Sequence, residues 1–170
     1  MSHLLHRTLF ADPPIATSGS GIYLRTADGH EVIDGSGGAA VACLGHGNAR
    51  VNAAIAAQIA KVAYVHTALF SNAAAEELAD VLVGHAPGGL THAYLASSGS
   101  EGTEAALKLA RQYFLEIGQP QRTRYISRRG SYHGNTLGAL SAGGNAMRRA
   151  PDAPLLSDAF SHVSPACAYR

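Results

Sequence analysis

The sequence has little net charge and no long hydrophobic run, and each absence excludes a class of protein. A formal charge of +1 over 170 residues predicts no electrostatic attraction to nucleic acid or to an anionic membrane. No apolar run approaches the length that crosses a bilayer, and the first residues lack the apolar core of a secretory signal. We therefore expect a cytoplasmic protein whose partners include neither nucleic acid nor a membrane.

Metal ligands and disulfides are also poorly represented. The two cysteines, Cys43 and Cys167, lie far apart in sequence, which favours free thiols in a reducing compartment. The nine histidines are scattered, with neither a His-x-x-x-His nor a Cys-x-x-Cys pair, so no metal site is expected. What the chain does have is 46% hydrophobic residues, enough for a domain with a real core.

The most informative stretch is a junction between a predicted strand, residues 91–96, and a predicted helix, residues 104–117. The helix is rich in helix formers and carries apolar residues at helical spacing, which predicts one buried face. The turn between the two is Ser98-Gly99-Ser100. Unpaired N–H groups at a helix N-terminus hold anions such as phosphate, and glycine lets the backbone approach a ligand. The alternative is a simple cap, in which Ser100 only satisfies the first helical turn.

A second predicted strand, residues 123–127, completes a parallel β-α-β unit with a right-handed crossover. The carboxyl ends of parallel strands share one edge of the sheet, where open α/β sheets bind their ligands. The turn after this strand contains Tyr132 and His133, so we expect an aromatic ring beside the Ser98–Ser100 turn. An anion cradle next to a flat ring suits a phosphorylated planar heterocycle. The alternative makes Tyr132 a half-buried edge residue and His133 a hydrogen-bonding loop residue.

The remaining elements follow from shorter signals of turn, cap and periodicity. They are a hairpin around Asp28-Gly29, a helix capped by Asn48, and helices over residues 71–83 and 135–142. The two ends of the chain, residues 1–20 and residues 147–170, are expected to be mostly irregular.

Together these motifs resemble the N-terminal part of a class III aminotransferase, a pyridoxal-phosphate-dependent family of omega- and ornithine-type transaminases. The matching residues are Gly21-Ile22-Tyr23, Asp28-Gly29, Val32-Ile33-Asp34, Leu44-Gly45-His46-Gly47, Gln58, Ser98-Gly99-Ser100-Glu101, Glu104-Ala105, Lys108, Ala110-Arg111 and Ser131-Tyr132-His133-Gly134. One such motif would be weak evidence, but their order and spacing are specific. Gly102 departs from the alanine usual in the family, at little expected cost in a first helical turn.

The resemblance implies an α/β fold of the PLP-dependent transferase type I, incomplete in this chain. It implies an N-terminal segment over residues 1–66, with hairpin, Gly-rich loop and first helix, and a partial cofactor domain over residues 67–170. It implies pyridoxal 5'-phosphate as the cofactor, with candidate binding residues Ser98, Gly99, Ser100, Tyr132, His133 and Gly134. The region that shapes the substrate pocket in relatives corresponds to Tyr23, Val41, Ala42 and Cys43.

Transaminase chemistry also needs a lysine that carries the cofactor as a Schiff base, and a carboxylate beside the pyridine nitrogen. The chain's two lysines, Lys61 and Lys108, lie in predicted helices and are interpreted as solvated residues. Members of the family are longer, so both catalytic groups are expected beyond Arg170. The chain is accordingly interpreted as a fragment that is inactive by itself.

Three functions stay open on the sequence alone. The first is amino-group transfer, in a full-length homodimer, from an amine or amino acid to a keto acid or aldehyde. The second keeps the cofactor but catalyses decarboxylation, intramolecular amino transfer or lyase chemistry, because fold and cofactor do not decide which substrate bond is broken. The third is a non-catalytic binding or assembly module.

Overall fold

The structure, a computed structural model, describes residues 2–169, which divide into two compact units between Glu77 and Leu78. Each unit has its own β-sheet. The predicted domain boundary between residues 66 and 67 stays a prediction.

The first unit contains an antiparallel sheet of three strands, β1 (Ala16–Ser20), β2 (Tyr23–Thr26) and β3 (Glu31–Ile33). The predicted hairpin is confirmed as β2–β3, and its turn uses Gly29 at a φ of 88°, which favours glycine. The expectation that residues 1–20 are irregular is wrong for β1. Its small polar residues show no apolar alternation, and Gly21, at a φ of 55°, turns the chain so that β1 pairs with β2.

Two elements follow in the same unit: α1 (Gly37–Ala40), a short turn whose residues have left-handed, positive φ angles, and the helix α2 (Ala49–Lys61). The predicted cap of α2 is confirmed, because the Asn48 side chain accepts a hydrogen bond from the Val51 N–H at 3.2 Å. The helix predicted over residues 71–83 is α3 (Ala73–His85), which crosses the division between the two units.

The second unit is an α/β arrangement with a parallel pair of strands. Its elements are α4 (Gly99–Glu116), β4 (Tyr125–Arg128), α5 (Leu137–Ala142), α6 (Ala146–Arg149), a 3₁₀ turn (Ala153–Leu155) and β5 (Phe160–Val163). β4 pairs in parallel with β5, with Tyr125 opposite Phe160 and Arg128 opposite Val163. β5, the 3₁₀ turn and the end of α6 are regular pieces that the sequence did not predict, but most of residues 147–169 are irregular, as expected.

The predicted strand over residues 91–96 is also absent. A strand needs a hydrogen-bonded neighbour, and in the part of the chain that the structure describes residues 91–96 pair with none. The strand predicted over residues 123–127 is confirmed as β4, but its parallel partner is β5 instead of residues 91–96.

Packing in the second unit is centred on α5, which lies against α4, α6 and β4. Its small residues Ala139, Ser141 and Ala142 are buried. Most large apolar residues predicted to form buried helix faces are exposed instead, with Leu109 of α4 at 67% and Val81 of α3 at 53%, whereas Phe114 of α4 is half-buried. The prediction of buried faces on these helices is therefore wrong within this chain: helical spacing shows which residues share a face, but not whether another element covers it.

Candidate functional site

The site predicted at the start of α4 is built on a hydrogen-bonded helix cap. The Ser98 hydroxyl accepts from the Glu101 N–H at 3.2 Å, and the Glu101 carboxylate accepts from the Ser97 N–H at 2.8 Å. The helix therefore begins at Gly99, five residues before the predicted start. Because Ser98 is the cap, the alternative in which Ser100 caps the helix is wrong.

This cap leaves two backbone donors at the helix start. Within residues 2–169, no acceptor takes the N–H groups of Gly99 and Ser100, whereas the Gly102 N–H bonds to the Ser98 carbonyl at 2.9 Å. A Cβ atom added at Gly99 would meet nothing within 4 Å, so the space around the Gly99 Cα is open on that side. The two N–H groups and the positive end of the helix dipole together favour an anion at this position.

The second turn lies directly against the first, as expected, whereas the place of the Tyr132 ring beside the Ser98–Ser100 turn stays a prediction. The Ser100 hydroxyl accepts from the Asn135 N–H at 3.0 Å and donates to Asn135 Oδ1 at 3.0 Å. The Thr103 hydroxyl lies 2.9 Å from the His133 carbonyl oxygen and can donate to it. These contacts join residues 30 and 35 positions apart in sequence, and they fix the turn after β4 against the start of α4.

Gly134 allows the two turns to approach this closely. It is buried, with a φ of 127°, in the region that favours glycine. A Cβ atom at this position would overlap the Ser100 side chain and lie 2.8 Å from Ser100 Cα. Any larger residue would therefore separate the turns.

A third contact, which the sequence analysis did not predict, runs from Glu104 to the start of α5. Its carboxylate accepts from the N–H groups of Gly138 at 2.9 Å and Ala139 at 3.2 Å. Hydrogen bonding from Thr136 first, and then from these two N–H groups, lowers the pKa of Glu104 against the opposing effect of desolvation. The sequence offered one signal for this contact, the Glu104 carboxylate, because carboxylates are favoured near helix N-termini. It did not show which helix N-terminus Glu104 would face.

Tyr132 directly precedes His133 in the sequence, and its ring is exposed to solvent. The side chain is 62% exposed, so the alternative of a half-buried edge residue is wrong. The Arg148 guanidinium carbon lies over the ring, 5.0 Å from its centroid. His133 does serve as a hydrogen-bonding loop residue, through its carbonyl oxygen. The two lysines, Lys61 on α2 and Lys108 on α4, are exposed, as interpreted from the sequence.

The predicted substrate-pocket residues belong to the first unit. Tyr23 begins β2 and is 44% exposed, whereas Val41 ends α1 and is 85% exposed. The Ala42 N–H donates to the Gly37 carbonyl at 2.8 Å, and Cys43 is an exposed free thiol. Their role in a pocket stays a prediction.

The loop that carries Val41, Ala42 and Cys43 is attached to the sheet by an aspartate–histidine pair. His46 Nε2 lies 2.9 Å from Asp34 Oδ2, and the other carboxylate oxygen accepts from the Gly37 N–H at 2.9 Å. Hydrogen bonding from His46 is the largest effect that lowers the pKa of Asp34. Both ends of the loop are therefore held by one carboxylate.

Among residues 2–169, no group of three or more His, Cys, Asp or Glu gathers as a metal site would require. In the same part of the chain, no helix combines the length and the apolarity that crossing a membrane demands.

An α/β unit with two adjoining turns, one at a helix start and one after a parallel strand, is typical of a ligand-binding domain. The chain belongs to the aminotransferase class-III family, whose model matches residues 11–169. It is 48% identical over 158 residues to an uncharacterized aminotransferase of Schizosaccharomyces pombe, covering 93% of this chain and 34% of the relative.

Solved transaminases share the fold. A thermostable (S)-enantioselective omega-transaminase from Thermomicrobium roseum matches with a TM-score of 0.91 and 34% identity, over 99% of this chain and 39% of that one. An amine transaminase from an uncultivated Pseudomonas species, in its PLP-bound form, matches with a TM-score of 0.91 and 32% identity, over 100% and 40%. The expected α/β fold of the PLP-dependent transferase type I is confirmed, and the chain spans about a third of the length of the curated relatives it matches.

Proposed function

We propose that the full-length protein is a PLP-dependent aminotransferase, which moves an amino group from an amine or amino acid to a keto acid or aldehyde. The observation that carries the proposal is the joining of two turns through Ser100 and Asn135, which sets open backbone donors next to a turn with an exposed aromatic ring. Membership of the class III family and the PLP-bound form of a structural neighbour support the same function.

The residues at the start of α4 fit the phosphate of the cofactor. The N–H groups of Gly99 and Ser100 are the donors, and the Ser98 hydroxyl keeps its own proton free to donate, because it only accepts in the helix cap. The Ser100 hydroxyl proton points to Asn135 Oδ1, so the first contribution of Ser100 is its backbone N–H. Anion binding by neutral donors and a helix dipole needs no lysine at this position.

The turn after β4 fits the ring of the cofactor. Tyr132 offers an exposed aromatic face for stacking, and Gly134 keeps this turn against the phosphate donors. His133 holds the turn to α4 through its carbonyl oxygen. When bound, the cofactor supplies an electron sink for the substrate bond that is broken, while these residues bind and orient it.

The proposal includes a substrate pocket and an assembly. Tyr23, Val41, Ala42 and Cys43 would shape the pocket, where small side chains leave room for the amine. We propose a homodimer in the cytoplasm whose interface includes residues 35–47 and the α2 face of Ile55 and Ile59, which are 53% and 59% exposed in this chain.

The experiment supplies the purified full-length protein with PLP, an amine or amino acid donor and pyruvate, and measures alanine by mass spectrometry. We expect alanine, and we expect Tyr132→Leu to produce less of it than Tyr113→Leu, which removes an exposed ring on α4 away from the two turns. Release of carbon dioxide or ammonia from the donor, without alanine, would instead support a decarboxylase or lyase of the same fold. A folded protein that does not bind PLP would support a non-catalytic module.

A further inference from the structure

We propose that Arg148 is a positioning residue: its guanidinium stacks on one face of the Tyr132 ring and holds the ring for the cofactor on the other face. The guanidinium carbon lies 5.0 Å from the ring centroid, within the range of a cation–π contact. The inference rests on the proposed function, because it assigns a second residue to the ring-binding part of that site.

The backbone brings the two side chains together before they touch. The Gly130 N–H donates to the Gly144 carbonyl at 3.0 Å, and the Gly144 N–H donates to the Ser131 carbonyl at 3.0 Å. These two hydrogen bonds pair the segment just before Tyr132 with the segment just before α6. A Cβ atom at Gly144 would lie 2.6 Å from Arg129 Cα, so this pairing depends on glycine.

α6 has only four residues, and its neighbours fix its position. The Asn145 side chain accepts from the Arg148 N–H at 3.2 Å and caps the helix. Arg149 donates to the carbonyl oxygens of Ser141 at 3.0 Å and Gly143 at 2.7 Å, at the end of α5. The backbone of Arg148 is therefore held independently of its contact with Tyr132. The Arg148 side chain is free to stack on the Tyr132 ring.

Stacking and charge make different predictions about what Arg148 does. A stacked guanidinium orients the ring and affects only ligands with a ring of their own, whereas a simple positive charge attracts any phosphate. Arg148→Lys keeps the charge but loses the planar group, and Arg148→Gln loses the charge. The chain also supplies a matched control, because the Arg122 guanidinium lies 4.9 Å from the Phe114 ring centroid, and neither residue belongs to the two turns.

The test titrates the purified full-length protein and each variant with PLP and, separately, with inorganic phosphate, following tyrosine fluorescence and calorimetric heat. We expect Arg148→Gln to weaken PLP binding about two- to fivefold, the range of an exposed cation–π contact, and Arg148→Lys to weaken it by less, because the ammonium keeps the charge but loses the planar stack. Inorganic phosphate should bind equally to all variants, and Arg122→Gln should match the wild type in both titrations.

A second readout is independent of the cofactor. In NMR spectra of the protein without PLP, the Arg148 side-chain protons should be shifted upfield by the Tyr132 ring, and Tyr132→Leu should abolish the shift. The inference is overturned if wild-type protein binds PLP and Arg148→Gln does not differ from Arg122→Gln, or if Arg148→Lys retains full affinity. If the wild type itself fails to bind PLP, the proposed function falls, and with it the role of Arg148.

Discussion

Replacement of Gly134 by alanine tests the close approach of the two turns. The new Cβ atom would overlap the Ser100 side chain and lie 2.8 Å from Ser100 Cα, while φ stays at 127°. Backbone strain and overpacking together should lower the free energy of unfolding by about 2–6 kcal/mol. This is a large fraction of the stability of an ordinary domain.

Gly130→Ala is the matched control in the same turn. Gly130 also has a positive φ, of 77°, but a Cβ atom there would meet nothing within 4 Å. It should cost only the strain of a left-handed residue, about 1–2 kcal/mol. The assay is urea denaturation of both variants, followed by PLP titration of those that fold.

We also expect the effects of substitutions in the two turns on the free energy of unfolding to be coupled. Ser100→Gly removes the side chain that the new Cβ atom meets, so Gly134→Ala should cost less in that background, by about 0.5–3 kcal/mol. An insoluble Gly134→Ala protein beside a soluble Gly130→Ala protein would agree with the account. Equal unfolding free energies for the two alanine variants would refute it.

Three further predictions concern the same contacts. Ser98→Ala removes the cap of α4 and should lower the free energy of unfolding by about 1 kcal/mol, whereas Ser97→Ala, which keeps its backbone bond to Glu101, should be close to neutral in the same denaturation assay. Asn135→Ala removes the acceptor of the Ser100 hydroxyl proton and should cost about 1 kcal/mol, and this cost should disappear in a Ser100→Ala background. The pKa of Glu104 is lowered in the folded state, so its stabilisation is present above the ordinary glutamate pKa and is lost as the pH falls through the lowered value. Unfolding followed between neutral and acidic pH should therefore show a smaller acid-induced loss of stability for Glu104→Gln, and an unchanged profile would contradict this role.

The parts of the fold that were predictable are those specified by neighbouring residues. Asp28-Gly29 makes a hairpin turn and Asn48 caps a helix because each acts within a few residues of itself. The strand predicted over residues 91–96 failed because pairing depends on a distant partner, which an apolar pattern does not specify. β1 was missed for the converse reason: its residues have no strand pattern of their own, and they form a strand because they pair with β2.

The candidate site divides in the same way. The Ser98–Ser100 turn and the Tyr132–Gly134 turn were predictable as motifs, and so was their neighbourhood, although the strand assigned to the first turn is absent. The contacts of Asn135, Glu104 and Arg148 were not predictable, because each depends on side-chain positions set by the packing of separate elements. The sequence motifs predicted the two turns, whereas the contacts that join them depend on how the elements pack.

Amide hydrogen exchange, with and without PLP, tests the central claim most directly. PLP should slow exchange of the amides of Gly99 and Ser100, which lack acceptors within the described residues, and it should protect residues 130–136 in the same titration. Residues 49–61 of α2 serve as the internal reference and should be unchanged. Protection of only one turn, or protection confined to other parts of the chain, would contradict the account that the two turns form one cofactor site.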